Sequence, residues 1–409
     1  MKAGFVLLNL LWIYQFAFAQ SASITNDGNY VYTVCDSSKT KSGVSLAVIR
    51  STQTGESFEI SGCRNISFTN DSKKAIYLKA DTLFVLNLSD HKTKSFTGVA
   101  EYVLCENNYV NWVIYKSMQG PGKVVFYDLN NGNEQYIESV GDYSVNSTST
   151  AMLTKSASGE KNVNLVWIDL ERKIINAKTI WSGEDSKLGK SLFNDKSKQV
   201  LFMVNDGNKE HDSYSIWYYD EGDIQSSILV NNSNEGVESD LEISADNAFS
   251  LADPPFLFVS KDKVLFYLSE KLAIDTSKGV KIYSYLDAKI QSQQLAQKIE
   301  RKYATVVNIH SKKLVRIEVG CSKLIAQCYY VGNLGGIRSP AINEKIALVQ
   351  DFPEDVFMYE TSSSGKSFFD GGYSAREASW NKKAQPKIYL VNLEDGSRRL
   401  IYDRIAGID

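Results

Sequence analysis

A strand-and-turn unit recurs along this chain at intervals of roughly 40 residues, and it has two recognisable halves. The first half is an apolar residue, a polar turn carrying Asn-Asp or Lys-Asp, and then alternating apolar residues. It reads Ile24-Thr25-Asn26-Asp27-Gly28, Phe68-Thr69-Asn70-Asp71-Ser72, Leu192-Phe193-Asn194-Asp195-Lys196 and, more loosely, Val259-Ser260-Lys261-Asp262-Lys263. The second half is a strand that closes on Asp or Asn, often before Leu, with Gly soon after. Examples are Phe84-Val85-Leu86-Asn87-Leu88, Phe126-Tyr127-Asp128-Leu129, Val166-Trp167-Ile168-Asp169-Leu170, Trp217-Tyr218-Tyr219-Asp220 and Tyr389-Leu390-Val391-Asn392-Leu393. A period of this length made only of short strands predicts an all-β fold, a β-propeller of about seven four-stranded blade-like repeats.

Between these landmarks lie further apolar runs. They are Leu46-Ala47-Val48-Ile49, Ala75-Ile76-Tyr77-Leu78, Trp112-Val113-Ile114-Tyr115, Ala151-Met152-Leu153-Thr154, Val200-Leu201-Phe202-Met203-Val204 and Val264-Leu265-Phe266-Tyr267-Leu268. Asn131-Gly132 is a tight-turn dipeptide. The sixth unit is longer, with a strand over 280–287 and a helical or irregular stretch over 291–301. A seventh begins near Thr305-Val306-Val307-Asn308-Ile309 and ends with 387–393 and Leu400-Ile401-Tyr402. Each unit exposes an apolar face that only a neighbour can cover, so residues 20–409 are expected to form one cooperative domain.

The first residues have the form of a secretory signal. Lys2 supplies the positive end, residues 5–18 the apolar run, and Ala17-Phe18-Ala19 the cleavage site, so residues 1–19 read as a signal peptide and the mature chain as periplasmic or extracellular. No later stretch approaches a membrane span. The net charge is −3 and the charges are dispersed, with no basic stripe for nucleic acid. Export places Cys35, Cys63, Cys105, Cys321 and Cys328 where disulfides form. Cys321 and Cys328 flank a short segment and would close a hairpin, while buried free thiols acting as small apolar residues are the alternative. Without a C-x-x-C, and with three histidines in all, a zinc site is not expected.

The repeated acids invite a metal or catalytic reading. Each precedes a strand, however, where an Asx side chain bonds to its own backbone, so they read as turn residues. They lack the Gly and Trp that a sialidase-type Asp box requires. A nucleophile elbow needs G-x-S-x-G on a strand-to-helix turn. The nearest approach, Gly372-Tyr373-Ser374-Ala375-Arg376, lacks the second glycine. His91, His211 and His310 occupy polar or strand-end positions and read as surface residues. Gly332-Asn333-Leu334-Gly335-Gly336 has no following Lys-Ser, so it is no phosphate loop. Acids are too many for spacing to select a glycosidase pair. The sequons Asn65-Ile66-Ser67 and Asn87-Leu88-Ser89 matter only in a eukaryotic secretory route. The expected catalytic, cofactor and metal residues are therefore none.

Several stretches resemble the N-terminal propeller of large secreted bacterial peptidases of the prolyl oligopeptidase family. The strongest is the run from Val280-Lys281-Ile282-Tyr283-Ser284-Tyr285-Leu286-Asp287 to Gln291-Ser292-Gln293-Gln294-Leu295. It is similar to a W-S-Y-x-D-x-x-x-Q-S-Q-Q segment in those proteins, with Tyr283 in the Trp position and Leu286 in the free one. Residues 24–30, 68–77, Ser215-Ile216-Trp217-Tyr218-Tyr219, and Ser379-Trp380-Asn381 leading into Ile388-Tyr389-Leu390-Val391 and Asp395-Gly396-Ser397-Arg398 also resemble that propeller, in the same order. The resemblance implies a propeller that screens a C-terminal α/β-hydrolase domain and admits only peptides. That domain's Ser, Asp and His have no counterpart here, so no catalytic residue is carried over. The expectation is a non-catalytic propeller portion, either truncated or standing alone, inactive by itself. Its partners would be a peptide substrate or a C-terminal α/β-hydrolase domain. The alternative is a free-standing exported propeller that binds a protein or peptide partner.

Overall fold

The structure is a computed structural model and describes residues 21–35, 45–118, 122–157, 161–194, 197–207, 212–246, 255–271, 301–320, 322–330, 336–351 and 387–403. The first sheet holds β1 (Ser21–Ile24), β2 (Tyr30–Cys35), β3 (Leu46–Ser51) and β4 (Ser57–Ser61). The second holds β5 (Cys63–Phe68), β6 (Lys74–Lys79), β7 (Thr82–Asn87) and β8 (Thr93–Thr97). The third holds β9 (Val99–Glu106), β10 (Asn111–Ser117), β11 (Lys123–Asp128) and β12 (Glu134–Ile137). The fourth holds β13 (Val140–Val145), β14 (Ala151–Ala157), β15 (Asn162–Asp169) and β16 (Ala177–Glu184). After a 3-10 turn at Asp185–Lys187 comes the fifth, β17 (Leu188–Phe193), β18 (Gln199–Asn205), β19 (Tyr214–Asp220) and β20 (Ser227–Val230).

The sixth sheet splits its first strand into β21 (Leu241–Ile243) and β22 (Phe256–Phe258), both paired to β23 (Lys263–Glu270), and continues through β24 (Lys302–Asn308) and β25 (Leu314–Arg316). The seventh is β26 (Ser322–Leu324), β29 (Ile346–Asp351), β30 (Lys387–Asn392) and β31 (Arg398–Tyr402). A two-stranded ribbon, β27 (Ala326–Tyr330) with β28 (Gly336–Pro340), is inserted between its first two strands. Every pairing among the described residues is antiparallel, and the seven sheets are the all-β, blade-like repeats that the sequence period predicts.

One expectation is corrected. Thr305-Val306-Val307-Asn308 does not open a seventh unit. It forms β24, which pairs with β23 from Lys263↔Asn308 to Ser269↔Lys302, and so is the third strand of the sixth sheet. The long connection 271–301 broke the period on which the assignment rested. The strand expected over 280–287 and the irregular stretch over 291–301 fall outside the described residues.

The pattern of apolar runs follows from strand position. In several sheets the second strand is buried on both of its faces, so it is apolar at consecutive positions. Ala75 through Leu78, Trp112 through Tyr115, Ala151 through Thr154 and Gln199 through Val204 are all buried. Each large apolar side chain so buried contributes about 2 kcal/mol. Fourth strands have one open edge and alternate; β4 reads exposed, half-buried, exposed along Ser57-Phe58-Glu59.

The chain divides into two compact units, residues 1–182 and 183–409. In the first unit, one apolar layer joins the first and second sheets through Ile49, Ala75 and Tyr77. Another joins the second and third through Leu78, Val113 and Tyr127, and a third joins the third and fourth through Trp112, Phe126 and Ile168. In the second unit, one layer joins the fifth and sixth sheets through Leu201, Ile216 and Phe266, and another joins the sixth and seventh through Tyr267, Val306 and Val391.

Candidate functional site

In a four-stranded antiparallel meander, the first and third strands run the same way. The turns that follow them share one end of the sheet, and the connection between the second and third strands occupies the other end.

At the shared end, the turn after the first strand is built alike in four sheets. A buried Thr or Asn closes the strand: Thr25, Thr69, Asn146 and Asn194, each 5% exposed or less. Its backbone N–H donates five residues ahead, to Tyr30, Lys74, Ala151 and Gln199 carbonyls at 2.9–3.0 Å. Its carbonyl accepts from the residue three ahead, Gly28, Ser72, Ser149 or Ser197. The side-chain oxygen completes the closure: Thr25 Oγ1 accepts from the Tyr30 N–H at 3.0 Å, Thr69 Oγ1 from Lys74 at 3.0 Å, Asn146 Oδ1 from Ala151 at 2.9 Å.

The acids of these turns are bound inward as well. Asp27 Oδ1 accepts from the Asn29 N–H (3.0 Å) and the Thr25 hydroxyl (2.7 Å), and Asp71 Oδ1 accepts from Lys73 (3.0 Å) and Thr69 (2.7 Å). The Asn29 backbone bond, followed by the Thr25 bond, holds the Asp27 carboxyl below its ordinary range. At Asp71, burial pushes upward but is outweighed by the Thr69 and Lys73 bonds and the nearby lysines, so its pKa is also lowered. Both acids are structural, as their place before a strand predicts. Asp195 lies outside the described residues.

Within the first unit these turns are joined in series. Asn26 Nδ2 donates to the Asn70 carbonyl (2.8 Å), the Asn70 N–H donates to both oxygens of Glu106 (2.9 and 3.0 Å), and Asn107 Nδ2 donates to the Ser149 carbonyl (2.9 Å).

Turns after the third strand are equally uniform. Ser51, Asn87, Asp128, Asn308 and Asn392 each accept, at the backbone carbonyl, an N–H from four residues ahead at 2.8–3.0 Å. The donors are Gly55, His91, Gly132, Lys312 and Gly396, all with φ between 57° and 78°. That left-handed backbone is the reason glycine follows the strand-closing Asp or Asn.

Two of the three histidines, His91 and His310, lie among the described residues. His310 Nε2 lies 3.1 Å from Asp262 Oδ1, and both side chains are open to solvent. His91 packs edge-on against Phe58 with ring centroids 4.2 Å apart. His211, Gly372-Tyr373-Ser374-Ala375-Arg376 and residues 332–335 lie outside the described residues; Gly336 opens β28. No group of three or more His, Cys, Asp or Glu able to hold a metal occurs among the described residues.

Cys63 and Cys105 are buried and free. Burial pushes their thiols up, to about 11 and about 12, which keeps them protonated and unreactive. Cys321 lies outside the described residues, and the side chains of Cys35 and Cys328 do too, so the expected hairpin bridge falls there. Asn65 is exposed in a left-handed conformation, whereas the Asn87 amide oxygen is taken up by Ser89.

Sequence reasoning missed two buried charges that tie the sixth sheet to the seventh. Lys263 Nζ donates to the Glu344 carbonyl (2.8 Å) and pairs with Glu394. Glu318 is 3% exposed and accepts from the backbone N–H groups of Ala304 and Leu324 and from Lys323 Nζ. Nothing in local spacing marks either one.

The opposite end of the sheets is where lengths differ. In the second sheet the middle connection is Ala80 and Asp81 alone; in the others it runs over 36–45, 118–122, 158–161, 206–213, 271–301 and 352–386. Described residues near these connections in the second unit are polar and charged. Asp212 Oδ2 accepts from the Tyr214 hydroxyl (3.2 Å), Tyr303 donates to Glu270 (2.7 Å), and Lys302 pairs with Asp246 (3.2 Å). Burial, then the Asp212 charge and the bond to it, raises the Tyr214 phenol. This end therefore carries connections of unequal length, flanked in the second unit by these paired polar side chains.

No family model matches the chain, and no curated protein matches its sequence. Solved structures of similar chain path include a eukaryotic initiation factor, at 10% identity and TM-score 0.42, covering 94% of this chain and 78% of that one. Dipeptidyl peptidase 4 of Porphyromonas gingivalis is similar at 6% identity and TM-score 0.41, over 91% of this chain and 57% of that one. The β-propeller domain of the Trilobed protease from Pyrococcus furiosus is similar at 11% identity and TM-score 0.32, over 94% and 98%. These are likenesses of fold at low identity, and no activity is carried over from them.

Proposed function

We propose that this chain is the propeller portion of an exported prolyl-oligopeptidase-type serine peptidase, screening a hydrolase domain so that peptides reach it and folded proteins do not. The observation that carries the reading is the ordered sequence resemblance from residues 24–30 through Val280–Leu295 to Asp395-Gly396-Ser397-Arg398. The apolar run before Ala17-Phe18-Ala19 supports export. Uniform, side-chain-capped turns support the screening role, because a filter must hold its shape while substrates pass.

The test has two arms. The purified chain is assayed with a chromogenic Xaa-Pro peptide and a fluorophosphonate label, and no turnover or labelling is expected. Fluorophosphonate-sensitive hydrolysis by this chain alone would contradict the reading. The reading frame beyond residue 409 is then inspected. A G-x-S-x-G followed by Asp and His supports the proposal, and a frame without them removes it.

A second reading is a free-standing exported propeller that binds a protein or peptide. The length of the middle connections 271–301 and 352–386 favours it, since long connections between framework strands often carry recognition. Capture of one partner in stoichiometric amount, lost when 352–386 is shortened, distinguishes it.

A further inference from the structure

The layer between the third and fourth sheets is apolar in composition but not in every atom. Trp112 is 2% exposed, and its ring meets Phe126 edge-on at 6.3 Å. Tyr143 packs against the same cluster. In the β13–β14 ladder Tyr143 lies directly across from Thr154, and Thr154 lies across from Val166, itself part of the cluster. Residues opposite one another on a ladder share a face. Thr154, 1% exposed, therefore faces this layer too.

Three polar atoms are thus enclosed here: Trp112 Nε1, Tyr143 Oη and Thr154 Oγ1. None has a hydrogen-bond partner among the described residues. The layer between the fifth and sixth sheets is different. There the Tyr218 hydroxyl donates to Asp220 (3.0 Å) and accepts from Gln199 (2.7 Å), and the Tyr303 hydroxyl donates to Glu270 (2.7 Å). Native proteins seldom leave enclosed donors unmade, and three in one layer call for a common explanation. Internal water is the usual partner of such groups.

We propose that the third–fourth layer is a hydrated site, with enclosed water bonded to Trp112 Nε1, Tyr143 Oη and Thr154 Oγ1. The indole N–H donates to it; the two hydroxyls donate or accept. Such bonds add direction to an otherwise apolar contact and fix the fourth sheet on the third.

Two measurements on the full chain test this. The first uses protein labelled with 15N at tryptophan, with the Trp112 indole signal assigned by its loss in Trp112→Phe. A cross-peak from that indole proton to long-lived water is expected. The second is urea unfolding of Thr154→Val, which keeps the shape and removes the hydroxyl. A hydroxyl bonded to water is lost at a cost, raising the unfolding constant about fivefold. A dry, unpaired hydroxyl is better absent, so the variant would then be at least as stable as the parent. Either that stability or a Trp112 indole without bound water overturns the proposal. Should Thr154→Val not fold, Tyr143→Phe replaces it with the same expected direction.

Discussion

The two ends of each sheet obey different rules. At the end shared by the first and third turns, almost every connection spans about the same length, and a side chain bonds its own backbone at equivalent positions from sheet to sheet. At the other end, connections range from Ala80 and Asp81 to residues 352–386. The difference is physical. A short turn closes only if particular N–H and C=O groups meet, so one residue out of place leaves a buried group unpaired. A long connection costs entropy that grows only with the logarithm of its length. The capped end therefore fixes the frame, and the variable end is free to acquire function.

One residue at the variable end breaks this division and gives the largest expected effect. Gly122 has φ +72°, and a Cβ there would stand 2.2 Å from the Val140 carbonyl oxygen. That carbonyl belongs to the backbone and cannot swing aside. Gly122→Ala is expected to cost about 3 kcal/mol, from a forced φ and a backbone clash together. Urea unfolding checks it; a loss below about 1 kcal/mol would mean that this connection yields as freely as its counterparts.

The next effect tests the capped end directly. Asn146 accepts from the Thr150 and Ala151 N–H groups and donates to the Thr148 and Thr150 hydroxyls, all within 2.9 Å. Asn146→Ala leaves the buried Ala151 N–H and the half-buried Thr150 N–H without this acceptor, and about 2 kcal/mol of stability should go. Asn146→Thr, which supplies the hydroxyl found at Thr25 and Thr69, should recover part of it. If the Thr variant is no better than Ala, the turns are alike in outline only.

The sequence made the frame legible where burial is two-sided. Trp112 through Tyr115 and Val200 through Val204 read as strands because no polar residue interrupts them. First and fourth strands were harder to see; β8, Thr93-Lys94-Ser95-Phe96-Thr97, has a single large apolar residue. The third strand β24 was placed one unit too late, although Asn308 followed by a left-handed Lys312 repeats the pattern of Asn392 and Gly396. Glycine marks that position at Gly55, Gly132 and Gly396, whereas His91 and Lys312 carry the same backbone without that signal. The candidate surface was not legible at all. Its definition depends on which strands pair, and the burial of Lys263 and Glu318 depends on partners such as Glu344, Glu394 and Ala304 that lie far away in sequence or on another strand.

Conformational strain sharpens the same comparison at a smaller scale. Ser149 holds φ 56° where the first sheet has Gly28 at 74°. A non-glycine residue in that region pays a steric penalty of about 1 kcal/mol, partly offset because glycine frees the unfolded chain. Ser149→Gly is expected to raise stability by about 0.5 kcal/mol. By contrast, four residues inserted after Gly207, in the variable connection 206–213, should cost no more than about 0.6 kcal/mol. An insertion as costly as Asn146→Ala would erase the distinction between the ends.

The smallest effect concerns Glu106, which joins the second sheet's turn to the third sheet by accepting the Asn70 N–H. Burial raises its pKa, against the lowering influence of that bond, whereas the neighbouring Asp71 is lowered. The two carboxyls should therefore drive stability in opposite directions. Asp71 is the weaker base in the fold, so its contribution is full above the ordinary carboxylate range and fades as pH falls through that range. Glu106 binds its proton more tightly in the fold than in the unfolded chain. Its contribution is full below its unfolded pKa and fades as pH rises through the higher folded value. Glu106 is partly exposed, so solvent screening keeps its effect small. Unfolding followed by urea from pH 4 to pH 7 should show Glu106→Gln gaining stability relative to the parent as pH rises, and Asp71→Asn losing it. Parallel curves for parent and Glu106→Gln would mean that the bond from Asn70 cancels the burial of the carboxyl, and that this junction is held by geometry alone.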